Sequence, residues 1–209
     1  GVVSAANDSS FVRLILGDGY VNMTLENIKN GHPLAVYNSD GSLIAFLGIV
    51  SNNIFVAFKT FAAGITLSVG TILMIFYNGI MVGSFQYFFY QYGALQESLL
   101  TIWLHGTIEI SVCIIAGCAG LVMGNSILFP GTYYRGQSFK QGAVQGMKIV
   151  IGTVPFFVVA AFIEGFFTRY ARTSYLIDGI IIFLSLTLII GYFVVYPFVL
   201  NKRNILTKK

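Results

Sequence analysis

Charged side chains are scarce in this chain of 209 residues. Asp, Glu, Lys and Arg together make up 10% of the sequence, whereas hydrophobic residues make up 56%. Soluble domains carry about 25% charged residues, and a mean hydropathy of +0.79 is more apolar than one globular core requires. The twelve basic residues form no patch, and four of them lie in the last eight positions, which argues against nucleic-acid binding. The composition predicts an integral membrane protein that crosses the lipid bilayer several times.

Proline and cysteine are also rare. Four prolines beside 23 glycines exclude a Pro/Gly-rich low-complexity chain and a disordered one. Cys113 and Cys118 stand five positions apart in one apolar run, so a helix places them on different faces. This spacing allows no local disulfide without breaking the helix, and it matches no metal-binding motif.

Polar and apolar stretches divide the chain into four parts. Residues 1–6 are expected to be the end of a truncated transmembrane segment, because the chain begins without Met and without signal-peptide features. Residues 7–50 have ordinary polarity, and their apolar residues recur every three or four positions, which predicts amphipathic helices at a membrane surface. Residues 51–200 form the predicted transmembrane helical domain, and residues 201–209 form a basic tail.

Apolar runs within the transmembrane domain predict its spans. They cover residues 51–77, 98–124, 147–168 and 175–200. Pro155 should kink the third of these. Asn78-Gly79 is typical of a turn, so residues 79–92, which are rich in aromatic side chains, are expected to form a short, broken or re-entrant helix. The predicted fold class is therefore all-α, a polytopic transmembrane helical bundle of about five or six segments with amphipathic interfacial helices.

Basic residues set the expected orientation. Four of them near the C-terminus place that end in the cytoplasm by the positive-inside rule, and the loop over residues 125–146 then faces the same side. They are Lys202, Arg203, Lys208 and Lys209. Residues 7–50 are extracytoplasmic in this orientation. Arg169 and Arg172 also fall on the extracytoplasmic side, against the rule.

Three ionisable residues lie well inside predicted spans, away from their ends, namely His105, Glu109 and Glu164. Each costs about 2.5–3.5 kcal/mol at membrane depth on insertion scales, so a chain with so few charges needs a reason to keep them. His105 and Glu109 are four positions apart and share one face of a helix. Glu164, on another span, could meet them.

Three interpretations of this intramembrane polar cluster stay open. It is a buried polar network that fixes helix register, a proton or ion site in a channel or transporter, or the metal centre of an intramembrane hydrolase. One His and two carboxylates favour the third, but HExxH is absent, and no nucleophile or further nitrogen ligand is obvious. The prediction is therefore no catalytic residue, no bound metal and no cofactor.

Small residues at four-residue spacing mark candidate helix-packing faces, which would suit packing inside the bundle and also a homodimer. They are Ala116, Gly117, Gly120 and Gly124, with Gly79 and Gly83 in the shorter run. Asn78 and Asn125 stand at the edges of apolar runs, where we expect them to form a turn or cap a helix.

Several short motifs occur in an order that resembles a known family. They are Asn52-Asn53-Ile54 with Ala57-Phe58, Asn78-Gly79, His105-Gly106 with Glu109, Ala116-Gly117 with Ala119-Gly120-Leu121, and Glu164-Gly165-Phe166. Over residues 43–200 the chain resembles the stage II sporulation protein M family of integral membrane proteins, in its long, non-sporulating form.

The resemblance implies a multi-pass protein of the bacterial cytoplasmic (inner) membrane with no established enzymatic activity. In endospore formers the namesake works with cell-wall hydrolases, and other relatives tend to be encoded near a MoxR-type ATPase. The expected function is a non-enzymatic component of an envelope complex that organises or anchors cell-wall-remodelling or related machinery. Its expected partners are envelope or cell-wall-associated membrane proteins and a MoxR-type ATPase system. The alternative is a channel or transporter that uses His105, Glu109 and Glu164 for proton or ion coupling.

Overall fold

The computed structural model describes residues 1–32, 42–168 and 175–206, and within these ranges the chain is helical with no strand. The α-helices there are α1 (Val2–Asn7), α2 (Ser9–Leu16), α3 (Asp18–Lys29), α4 (Ser42–Ala62), α5 (Val69–Gln91), α6 (Leu95–Leu128), α7 (Arg135–Phe162), α8 (Tyr175–Ile190) and α9 (Tyr196–Leu206). This confirms the predicted all-α bundle. Parts of the predicted polar segment (33–41) and basic tail (207–209) lie outside the described residues, as do Arg169 and Arg172.

Five stretches of the described chain are long and apolar enough to cross a membrane. They are Leu43–Ile65, Val69–Gln91, Leu95–Leu128, Arg135–Phe166 and Leu176–Leu200. The multi-pass architecture predicted from the sequence is therefore confirmed. The first span begins before residue 51, because the apolar run that forms α4 already starts at Leu43.

Helix α6 lies at the centre of the bundle and contacts α4, α5, α7 and α8. Its 34 residues correspond to a length of about 50 Å, well beyond the roughly 30 Å hydrocarbon core of a bilayer. The main core collects side chains from α4, α6, α7 and α8. Its buried members are Ala57, Phe61, Ile108, Val112, Ala116, Ala119, Met123, Val150, Phe157, Ala160 and Ile189.

The break between the first two spans lies at residues 63–68, not at Asn78-Gly79. A 3₁₀ turn over Ala63–Ile65 ends α4, and Leu67 and Ser68 adopt positive φ angles of 56° and 71° before α5 begins. Helix α5 runs without interruption from Val69 to Gln91. The expectation of a turn at Asn78-Gly79 followed by a short helix is therefore wrong. The packing of α5 in the bundle overrides the preference of Asn78-Gly79 for a turn, because that preference is a property of the two residues alone.

Helices α1–α3 form a second, smaller core with the end of α5. Its buried members are Ala5, Val12, Val21, Phe88 and Phe89. Phe88 and Phe89 are 2% and 0% exposed, so the middle of the aromatic stretch lies in a packing core. The expected amphipathic helices are present, and their apolar faces pack on the protein.

Each of the last two spans contains a wider, π-helical turn. Helix α7 starts at Arg135, continues through Pro155 and passes into a π-helical turn over Ile163–Thr168. A second π-helical turn, Gly191–Val195, joins α8 to α9. Five crossings would place the end of α5, where α1–α3 form their core, and the end of α9 on opposite membrane faces. The cytoplasmic assignment of the C-terminus stays a prediction.

Candidate functional site

The three ionisable residues predicted inside the membrane come together in the bundle. His105 and Glu109 lie on α6, one helical turn apart, because their spacing of four residues matches the α-helical repeat. Glu164 lies in the π-helical turn that follows α7. A π turn accommodates one more residue than an α turn, and such turns are frequent at functional sites. Glu164 thus approaches α6 from a neighbouring span.

The cluster is compact and enclosed. One ligand atom from each of His105, Glu109 and Glu164 lies within 4.8 Å of the other two. His105 Nε2 and Glu164 Oε2 are 3.7 Å apart, and the two side chains are only 5% and 15% exposed. That separation is longer than a hydrogen bond. The three side chains could offer one ligand atom each to a metal ion.

Asn53 is a member of the cluster that was not predicted as a site residue. It lies on α4 and donates a hydrogen bond from Nδ2 to Glu109 Oε1. This contact fixes the direction of the Glu109 carboxylate, because the amide satisfies one of its oxygens. The sequence signal was an amide in the middle of an apolar helix, where polar side chains usually bond to a neighbouring helix.

Asn78 adds a polar contact from α5 to those from α4, α6 and the π-helical turn after α7. It lies in the interior of α5, and its Nδ2 stands 3.8 Å from Cys113 Sγ on α6. The expectation that Asn78 forms a turn or a cap is therefore wrong. Cys113 follows Glu109 by one helical turn, so this contact lies next to the cluster, and both cysteines are free thiols. Asn125 also lies inside α6, whose C-cap is Phe129, so it does not occupy the predicted cap position.

The predicted small-residue face of α6 packs within the chain. Ala116 is fully buried in the main core. A Cβ added to Gly120 would lie 2.9 Å from the Thr60 carbonyl oxygen, and one added to Gly124 would lie 2.7 Å from the Gly64 carbonyl oxygen. Gly117 is covered by the side chain of Ile75. The face therefore lets α6 approach the α4–α5 turn and the start of α5 at backbone distance.

The two glycines of the second predicted small-residue face, Gly79 and Gly83, differ in what surrounds them. A Cβ added to Gly83 would lie 3.1 Å from the Val2 amide nitrogen, so Gly83 accommodates α1. A Cβ added to Gly79 would meet nothing within 4 Å in the described residues. Gly79 therefore has no close-packing role in the described part of the chain.

Two shallow apolar depressions on the described surface lie away from the cluster. One is lined by Phe156, Leu188, Gly191, Tyr192 and Tyr196. The other is lined by Tyr90, Gly93, Leu95, Gln96, Leu99 and Leu100. Neither includes a residue of the cluster.

Comparisons with known proteins bear on the whole arrangement. The family model described as Stage II sporulation protein M matches residues 2–169, which contain α1–α7 and every member of the cluster. No match was found among curated proteins or among solved structures. Because the match covers most of the chain, this membrane protein belongs to the stage II sporulation protein M family.

Proposed function

We propose that the protein is a non-enzymatic component of an envelope complex in the bacterial cytoplasmic membrane, where it anchors or positions partner proteins. The observation that carries this proposal is the α1–α3 layer, which precedes the five spans in the chain and packs on the second half of α5, with a core of its own at Phe88 and Phe89. A layer held in a fixed position on a membrane bundle is suited to hold a partner at a defined place.

Polar contacts support the α1–α3 layer as one surface. Arg13 on α2 forms an ion pair of 2.8 Å with Asp18 and donates a hydrogen bond of 2.9 Å to Asn22, both on α3. These contacts join the two helices, and the side chains of Arg13 and Asp18 are 41% and 76% exposed. Leu14 is 78% exposed next to them. The surface of the layer therefore combines polar groups with an exposed apolar side chain.

The proposed partners are envelope or cell-wall-associated membrane proteins, with a MoxR-type ATPase system among them. A second copy of the chain is a further candidate. The α6 glycines are occupied by contacts within the chain, so a homodimer would have to use another face.

Purification of the tagged full chain from native membranes in mild detergent tests the proposal. We expect cell-wall enzymes or an ATPase to be recovered in fixed ratio, as determined by quantitative mass spectrometry. Recovery of the chain alone, or only as a homo-oligomer, would contradict the envelope-complex function.

Two matched variants test which surface is used. Leu14→Asp changes an exposed apolar residue of the α1–α3 layer, and Phe129→Asp changes a similarly exposed one, 72%, on the opposite membrane face. We expect Leu14→Asp to lose the partner and Phe129→Asp to retain it. The reverse result would exclude the α1–α3 layer as the contact surface.

The second candidate function is a proton or ion channel or transporter. The observation that favours it is the position of His105, Glu109 and Glu164 inside the bundle, since ionisable residues at membrane depth commonly mark ion pathways. Flux measurements in liposomes test it. A conducting protein would show flux that Glu109→Gln abolishes, and absence of flux in the unmodified chain would exclude this function.

A further inference from the structure

We propose that His105, Glu109 and Glu164 bind one divalent transition-metal ion, and that this ion links α6 to the end of α7. This goes beyond the anchoring function and does not depend on it. It also departs from the sequence-based expectation of no bound metal, because the structure adds the spatial position of Glu164.

The ligand set is the first reason. One imidazole nitrogen and two carboxylates suit Zn²⁺, Mn²⁺, Fe²⁺ or Co²⁺, whereas Mg²⁺ and Ca²⁺ prefer oxygen ligands alone. The three ligands come from two separate segments, α6 and the π-helical turn after α7. An ion bound by them would therefore cross-link two spans.

The distances are the second reason. Ligand atoms on one tetrahedral ion with bonds of about 2.0–2.2 Å stand about 3.3–3.6 Å apart. The 3.7 Å between His105 Nε2 and Glu164 Oε2 is close to this value, although it is too long for a hydrogen bond. The third ligand atom, from Glu109, lies within 4.8 Å of the others, so a shift of about 1 Å completes the site.

Charge balance is the third reason. Two carboxylates this close in a low-dielectric bundle repel each other unless a proton or a cation lies between them. A divalent ion with two carboxylates and a neutral imidazole gives a site with no net charge. The Asn53 amide of α4 contacts Glu109, and the Cys113 thiol lies one turn further along α6 from Glu109; neither group is cationic.

Asn53 supplies the outer support that metal sites require. Carboxylate ligands are usually held by a hydrogen bond from a second residue, and removal of such a residue weakens metal binding by about 10–100-fold. The Asn53 amide makes this contact with Glu109 from α4. The ion would therefore also couple α4 to the cross-linked pair of spans.

Metal analysis of the purified full chain in detergent tests the proposal. After exposure to Zn²⁺ or Co²⁺ and gel filtration, we expect about one ion per chain. Glu109→Gln and Glu164→Gln should each lower binding by about 100-fold or more, and Asn53→Ala by about tenfold. Glu97→Gln is the matched control, because Glu97 is an exposed acid in the first turn of the same helix. It should bind metal like the unmodified chain.

X-ray absorption at the Zn or Co edge, measured on the unmodified chain, tests the proposal without any variant that could fail to fold. We expect nitrogen and oxygen neighbours at about 2.0–2.2 Å and no sulfur neighbour at about 2.3 Å. Sulfur in the coordination shell would assign the ion to a cysteine and overturn the proposal. The proposal is also overturned if the unmodified chain binds no metal, or if Glu109→Gln folds and binds as much as the control.

Discussion

Replacement of Gly124 by alanine should destabilise the bundle, whereas the same replacement at Gly79 should stabilise it. Both glycines lie in the interior of long helices, and both belong to predicted small-residue faces. They differ in what the added methyl group meets. At Gly124 it meets the backbone of Gly64 and Ser68 in the α4–α5 turn, and at Gly79 it meets nothing within 4 Å in the described residues.

The expected magnitude follows from two opposing contributions at Gly124. Overpacking of a well-packed site costs about 1–3 kcal/mol, and the upper end applies because the Gly64 carbonyl oxygen, 2.7 Å from the added Cβ, is backbone and cannot rotate away. Alanine is favoured over glycine in a helix by about 1 kcal/mol. The net loss is about 2 kcal/mol, or about 4–8 °C in melting temperature for a chain of this size.

At Gly79 only the helix-propensity gain remains. We expect Gly79→Ala to raise the free energy of unfolding by up to about 1 kcal/mol, or the melting temperature by about 2–4 °C. Unfolding of each variant by SDS in mixed micelles can be followed by fluorescence of Trp103, the single tryptophan of the chain. If Gly124→Ala unfolds at the same SDS fraction as the unmodified chain, or if both variants shift in the same direction, the close backbone contact at Gly124 is refuted.

Three further predictions concern polar groups of the N-terminal layer and the core. The Asp8 carboxylate accepts hydrogen bonds from the hydroxyl and amide of Ser10 at 2.7 and 2.8 Å, which lowers its pKa below 3.8. The stabilisation that this carboxylate gives α2 is therefore present above pH 3.8 and is lost as the pH falls through the lower pKa of the folded state. The chemical shift of the Ser10 amide, followed by NMR against pH, checks this, and a midpoint at or above 3.8 would contradict it. Burial raises the pKa of Tyr20 from 10.0 to about 12. The free energy of unfolding should therefore keep its full value below pH 10 and decline as the pH rises from 10 to about 12. Ultraviolet titration of the unmodified chain against Tyr20→Phe checks this, and a tyrosine titrating near 10 that disappears in the variant would refute it. Thr60 Oγ1 is buried with no hydrogen-bond partner in the described part of the chain. Thr60→Val should therefore leave the free energy of unfolding unchanged or raise it. A loss above about 1 kcal/mol would show that the hydroxyl makes a hydrogen bond after all.

The sequence alone was enough to predict part of the candidate site. The pairing of His105 with Glu109 was predictable, because a four-residue spacing on a helix places two side chains on one face whatever surrounds it. The participation of Asn53 was not, since its partner Glu109 is 56 positions away. Asn78 was misread because its Asn-Gly pair is a turn signal in isolation, whereas here α5 continues through it.

The sequence by itself determined that this is a helical membrane protein and which ionisable residues lie inside it. These properties follow from composition and from the helical repeat, which are local. Only the tertiary structure decided that the chain reverses at residues 63–68, that Gly124 is packed while Gly79 is open, and that Glu164 approaches His105. Those outcomes depend on how whole helices fit against α6, where backbone contact and side-chain shape across distant segments outweigh the preference of any short stretch.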